Sequence, residues 1–265
     1  MNFSVLIHTH SDYSYLWNVI NDYTKKYKFK KILAYNNIPE NNILPDCFDR
    51  YIQYDDTQKF TGRLCNILEQ IEDEFIFLIY DVDIIINIDE NALENYINIM
   101  RYNQIDRLNI AVFDGTEYKQ KNNYAICNLN KKLRQPSNHF TPIDCNPTIW
   151  NKKTCIDFLK KFPNETYNSF ELNDQIISYC KTNIKCYGIQ LTPNLKILYN
   201  RGLTYCDKIS LLHITVKGKF LLPIQCYADY QNDLIKIINN YKLDINQIGT
   251  IQAHAGCFNN NKLYV

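Results

Sequence analysis

Two short stretches carry side chains that could share a ligand. "LIHTHSDYS" (6–14) ends an apolar run in His8-x-His10, and "FLIYDVDIIIN" (77–87) ends one in Asp81-x-Asp83. In an extended strand residues i and i+2 project from the same side, so each pair can converge on one point. Two imidazoles at that spacing suit a transition metal, whereas two carboxylates suit Mg²⁺ or Mn²⁺, which take hard oxygen ligands. The carboxylates make the stronger demand, because two like charges in apolar surroundings are costly unless a cation joins them. The bland alternative is that Asp81 caps a turn and Asp83 faces solvent.

A site built on His8 and His10 would need further ligands from later strands. The chain has five histidines in all, so His139, His213 and His254 would each have to join. None of them stands in a metal-spaced pair, which leaves a His-x-His metallo-hydrolase as a minor alternative. Neither Cys145 nor any other thiol has a base in a recognisable nucleophile arrangement, which argues against covalent cysteine catalysis.

The elements that must position these residues alternate along the first half. Strands are expected at 3–9, 31–37 and 50–56, and helices at 14–27 and 61–73. "EFIFLIYDVDIII" (74–86) reads as one long strand, and "DENALENYINIMRYN" (89–103) as a helix with an acidic first turn. Later segments are expected as strands at 108–115, 123–129 and 185–193, and as helices at 154–162 and 171–183. Strands apolar on both faces, alternating with helices, imply a mostly parallel α/β sheet covered by helices. Ligands of such sheets bind beyond the carboxyl ends of the strands, where His10 and Asp81 would lie.

Composition bounds the function. The 265 residues, 46% hydrophobic and 14% aromatic, suit one folded domain without an internal repeat or linker. Lys and Arg number 29 against 28 Asp and Glu, a balance that argues against nucleic acid as a partner. The densest basic stretch, "KKYKFKK" (25–31), lies between apolar runs and reads as a solvated helix end and turn. The 10 cysteines include no C-x-x-C pair, which favours reduced thiols in a cytosol-like compartment. The chain shows neither a leader pattern nor an apolar run of the roughly 20 residues that a membrane span needs. The expectation is a cytoplasmic protein with no transmembrane segment.

Several motifs in order resemble the GT-A glycosyltransferases, the nucleotide-sugar-dependent class with a D-x-D (DXD) motif. The chain is similar to small bacterial and viral sugar transferases whose first strand leads into "Y-S-x-L-W", here Tyr13-Ser14-Tyr15-Leu16-Trp17. Thr61-Gly62-Arg63-Leu64, "LEQIEDEF" (68–75) and Tyr80-Asp81-Val82-Asp83 follow as in those families. "NPTIW" (146–150) and "YNSFELND" (167–174) match their acceptor side. "VKGKFLLP" (216–223) stands for their "R-G-K-W", with Lys217 for Arg and Phe220 for Trp. The likeness covers most of residues 3–223. It implies a GT-A, Rossmann-like single domain: residues 1–105 for the nucleotide sugar, 106–223 for acceptor and catalysis, and 224–265 with no assigned role.

The resemblance also implies roles. Asp83, with Asp81 close by and His213 completing the set, would hold Mn²⁺ or Mg²⁺ on the diphosphate; an imidazole hints at manganese. Lys217 and Lys219 would meet the diphosphate as point charges, or else are surface lysines. Arg63 would reach the nucleotide, or else lies on a helix surface. Thr9, His10, Ser11 and Tyr13, at the end of the first strand, would wall the base and ribose pocket, with Tyr13 stacking on the base. Glu171 or Asp174 would accept the acceptor's proton in an inverting transfer, unless both are ordinary first-turn acids. Trp150 would stack on an acceptor sugar, or else belongs to the core. The implied donor is a nucleotide diphosphate sugar, most simply UDP-linked, and the acceptor a glycan, glycoprotein or lipid-linked sugar. A catalytically inactive sugar- or nucleotide-binding protein on the same fold is the second alternative. A nucleotidyltransferase is disfavoured by the lack of a Gly-rich phosphate loop near the start of the chain.

Overall fold

The computed structural model describes residues 2–113, 118–121, 124–130, 147–190, 192, 208–216, 218–223 and 228–253. Strands β1 (Phe3–His8), β2 (Lys30–Tyr35), β3 (Arg50–Gln53) and β4 (Phe75–Tyr80) alternate with helices α1 (Trp17–Thr24) and α2 (Phe60–Glu69). Strand β5 (Asp83–Ile88) leads into α3 (Glu90–Asn103). Next come β6 (Arg107–Phe113), β7 (Tyr118–Lys121), β8 (Tyr124–Asn128) and β9 (Thr148–Asn151). Helices α4 (Lys152–Lys161), α5 (Tyr167–Leu172) and α6 (Asp174–Asn183) precede β10 (Cys186–Gln190). Beyond them lie β11 (Ile209–His213), β12 (Thr215–Val216), β13 (Lys219–Pro223), α7 (Ala228–Asn240), α8 (Ile245–Ile248) and β14 (Thr250–Ala253).

Among the described residues, nine strands form one sheet in the order β3-β2-β1-β4-β9-β6-β10-β8-β7. Only β9 and β8 run against the rest, so the sheet is mostly parallel in direction. Side-chain alternation explains why both faces need cover. Phe3, Val5 and Ile7 of β1 and Phe75, Phe77 and Ile79 of β4 enter one apolar cluster with α1, α3 and α7. Leu6, Ile76, Leu78 and Tyr80 enter the other with α2, α4 and α6. The expected α/β domain, a mostly parallel sheet between helical layers, is what forms.

Three elements depart from expectation, each for a local reason. Residues 14–27 do not make one helix: Ser11–Leu16 form a 3-10 turn and α1 starts only at Trp17. The turn is capped by His10, whose Nδ1 accepts from the Asp12 amide. Residues 171–183 break at Asn173, whose extended backbone and side chain cap α6 by accepting from the Gln175 and Ile176 amides. The long strand expected at 74–86 also breaks. Asp81 N still donates to His8 O at 3.1 Å, but the Val82 carbonyl accepts from Ile214 N at 2.8 Å. The chain thus changes partners, and β5 pairs antiparallel with β11 instead of continuing in the main sheet.

Two segments prove structural. "NPTIW" supplies β9, a central antiparallel strand between β4 and β6. Its Trp150 is 5% exposed, stacked on Phe158 at 6.0 Å and covered by the Arg107 guanidinium at 5.4 Å. Of the two readings of Trp150, acceptor platform or core residue, the structure gives the core. Beyond residue 223, Leu234, Ile237 and Ile238 of α7 join the core, and Tyr241 donates its hydroxyl to Asp22 of α1 at 2.9 Å. Strand β14 pairs parallel with β13, so part of the segment left without a role completes the fold. Among the described residues no helix is long and apolar enough to cross a membrane.

Trp150→Ala is expected to cost roughly 3–5 kcal/mol of stability through the cavity it leaves. Urea denaturation measures it, and a loss under about 1 kcal/mol would contradict a core role.

Candidate functional site

The carboxyl ends of β1 to β4 gather the polar side chains. Asp81, directly after β4, is the centre. Its Oδ2 accepts from the Thr9 hydroxyl at 3.0 Å and from the His10 amide at 2.7 Å. The Trp17 indole in turn donates to the Thr9 hydroxyl at 2.9 Å, and the Tyr54 hydroxyl donates to the Thr9 carbonyl at 2.9 Å. Thr9 is therefore fully enclosed and braces Asp81; it is not an open pocket wall. Burial pushes the Asp81 carboxyl up to about 7; the two donated hydrogen bonds pull the other way, and the charge of Asp83 adds to the rise.

Asp83 opens β5 opposite His213 of β11, and its Oδ1 lies 2.8 Å from His213 Nδ1. Burial alone would lower the imidazole's pKa, but the charge and hydrogen bond of Asp83 outweigh it and leave the value raised. Among the described residues no three His, Cys, Asp or Glu side chains form a ready cage for a metal. The expected trio of Asp81, Asp83 and His213 is thus corrected to a pair: Asp83 faces His213, while Asp81 is turned toward the β1 loop. The chain breaks between β4 and β5, and the two aspartates take different partners on either side of that break. The donor set still fits a divalent cation. Asp83 and His213 offer an oxygen and an imidazole, and a cation that keeps substrate phosphates or waters needs only one or two protein carboxylates. Asp81 is raised because burial outweighs the two hydrogen bonds and the charge of His10 that favour its ionised form.

The two histidines of the first stretch part company. His8 stacks on Tyr54 at 4.8 Å, with Phe60 and Tyr80 edge-on, and its Nε2 is buried with no partner. His10 is engaged on both nitrogens, with Nε2 at 2.9 Å from Asp56 and Nδ1 taking the Asp12 amide. Asn36 at the end of β2 accepts from the Ser11 amide at 2.8 Å, fixing that residue of the loop. Tyr13 is half-buried; burial, then the charges of Asp81 and Asp12, raise its phenol.

Arg63 of α2 pairs with Asp56 and lies 5.4 Å over the Tyr54 ring, so it belongs to the site and not to a helix surface. Burial alone would raise Asp56, but the hydrogen bond from His10 and the charges of His10 and Arg63 hold it below the usual carboxylate range. Asp56 and Asn36 were not singled out from the sequence. The signal was present, since both follow the carboxyl ends of parallel strands. Among the later candidates, Asp174 is exposed in the first turn of α6 and Glu171 lies on α5. Lys219 lies on β13 with its stem beside Gly249. Lys217, His139, Cys145 and His254 lie outside the described residues.

His8 supplies a pH test of this packing. Burial first, then the charges of Arg63 and His10, lower its pKa from 6.5 to about 3, so the fold favours the neutral ring. Its stabilising contribution is complete above pH 6.5 and is lost as pH falls from 6.5 toward 3. His8→Phe keeps a ring against Tyr54 and does not titrate. Between pH 6 and 4 the stability of the variant relative to wild type should rise by roughly 1.4 kcal/mol per pH unit, read from urea melts. A constant difference would contradict a neutral His8.

No protein-family model matches the chain, and no curated protein matches it. Solved structures are similar in fold. S. aureus TarS is 13% identical over 73% of this chain and 36% of its own, with a TM-score of 0.44. S. aureus TarS 1–349 in complex with UDP is 14% identical over 73% of this chain and 61% of its own, with a TM-score of 0.43. A cytidylyltransferase from Leptospira borgpetersenii is 12% identical over the whole of both chains, with a TM-score of 0.40. The chain thus spans between 36% and 61% of the length of these two TarS structures, which it resembles in fold.

Proposed function

We propose that the protein is a metal-dependent glycosyltransferase that takes a sugar from a nucleotide diphosphate donor, most simply UDP-linked. The observation that carries this reading is the pair of buried aspartates at the carboxyl end of β4, one elevated by burial and the other held by His213. A site of this kind is completed by a cation and an anionic ligand arriving together. Asp83 and His213 would hold the cation, whose role is Lewis-acid stabilisation of the departing diphosphate.

The residues of the chain divide the remaining work. Asp81, clamped by Thr9 and the His10 amide, is fixed beside the β1 loop, where the sugar and ribose hydroxyls of the donor need an acceptor. His10, Ser11, Tyr13 and Arg63 border the nucleoside, with Asp56 and Asn36 holding His10 and Ser11 in place. Lys219, and Lys217 before it, would meet the phosphates as point charges. Glu171 or Asp174 would take the proton from the acceptor hydroxyl as it attacks from the far side of the anomeric carbon, which inverts that centre.

Thermal melting with UDP, UDP-glucose, UDP-galactose and UDP-GlcNAc, each with and without Mn²⁺, tests this reading. Binding at about 100 times Kd should add roughly 2.7 kcal/mol of stability. The added stability should depend on the metal and vanish in Asp83→Asn, while UDP release from a donor sugar should fall by at least about a hundredfold. A variant that retains the metal-dependent shift would sink the assignment of Asp83. Binding without UDP release under any acceptor would support the inactive binder instead.

A further inference from the structure

With Trp150 in the core, the aromatic surface beside the aspartates is provided by another residue. Tyr167 opens α5, and its ring lies 5.4 Å from Phe60 at 72° and 6.1 Å from Tyr80 at 84°. Tyr80 immediately precedes Asp81, so Tyr167 borders the carboxyl end of β4. Two edge-to-face contacts fix the plane of the ring, yet Tyr167 remains 42% exposed. Its helix is anchored at the start by a capping box, in which Thr166 accepts from the Ser169 amide and the Ser169 hydroxyl accepts from the Thr166 amide. Phe170, 5% exposed, pins the same helix against Phe60 and Phe158.

An exposed aromatic ring held rigid from behind loses little conformational entropy when a ligand covers it. The chemistry around it selects the ligand. The stretch "NETYNSFELNDQ" (164–175) flanks the tyrosine in sequence with amides, hydroxyls and three carboxylates, and it contains no lysine or arginine. An anionic acceptor such as a lipid diphosphate finds no counter-charge on this stretch. A neutral ring with a C–H face and a rim of hydroxyls matches an aromatic platform edged by amide and carboxylate groups. Glu171, one of the two candidate bases, follows one turn later on the same helix.

We propose that Tyr167 is the stacking platform for a pyranose ring of a neutral saccharide acceptor. The proposal rests on the glycosyltransferase reading for its reaction, but the saccharide contact can be tested separately.

Saturation-transfer NMR on the full chain with cellobiose, maltose and N,N′-diacetylchitobiose reads the contact. At least one disaccharide should bind wild type, Tyr167→Ala should weaken it by about five- to tenfold, and Tyr167→Trp should retain it. The Mn²⁺-dependent shift with UDP serves as the folding and donor-site control. If Tyr167→Ala does not fold, Tyr167→Leu keeps an apolar contact with Phe60 and Tyr80 without a ring and carries the same expectation. Binding of none of the three sugars, unchanged binding by the ringless variants, or binding of farnesyl diphosphate in their place overturns the platform. A UDP shift with no disaccharide binding overturns the platform and leaves the donor reading intact. Tyr167-dependent sugar binding without any nucleotide shift upholds the platform and overturns the donor reading.

Discussion

The arrangement turns on one buried carboxylate. Asp81 is almost wholly enclosed, and burying an ionised group costs several kcal/mol unless hydrogen bonds or opposite charge meet it. The chain meets it with a backbone amide and a hydroxyl drawn from residues 9 and 10, at the far end of a neighbouring strand. That requirement shapes the loop after β1. Thr9 must face inward, Trp17 must reach back to share its hydroxyl, and residues 11–16 tighten into a 3-10 turn before α1 begins. The loop after β1 is thus braced from inside the protein.

The same carboxylate accounts for the change of partner after β4. A continuous strand would have set Asp81 and Asp83 on one side, with two like charges competing for one desolvated space. With the change of partner at Val82, Asp81 is held by the β1 loop and Asp83 meets His213 across an antiparallel pair. The segment that carries His213 is itself tied to later chain, since β12 and β13 form a hairpin and β13 pairs with β14. Helix α7 then closes the unit onto the core. The described C-terminal part is a structural support of the segment that carries His213.

Most strands and helices were legible because each has an unambiguous period. Strands β1, β2 and β4 are apolar on both faces, and α2 and α3 show apolar residues at helical spacing. The break in "FIFLIYDVDIII" was not legible, since the run is apolar on either side of its two aspartates and the chain is redirected by long-range pairing with β11 and a bond from Ile214. Position at strand ends pointed to Thr9, His10 and Asp81, which the structure joins by hydrogen bonds. The roles within it depended on contacts between distant segments, such as Asp56 with His10 and Arg63. For Trp150 burial habit pointed to the core, and its strand does lie between β4 and β6.

Under the proposed function, charge is the reason to regard donor and cation as one ligand. Asp12, Asp56, Asp81 and Asp83 face this end of the sheet, against Arg63, whose guanidinium is already paired with Asp56. A diphosphate approaching alone would add two or more negative charges to that set, at separations where an effective dielectric of about 20 leaves several kcal/mol of repulsion. A divalent cation alone would meet Asp83, yet only one buried carboxylate is oriented toward it. Each therefore improves the site for the other, and by linkage the coupling must be equal in both directions. A neutral acceptor arriving at Tyr167, as proposed, would be exempt from this constraint, in keeping with a flanking stretch 164–175 that carries carboxylates and amides but no lysine or arginine.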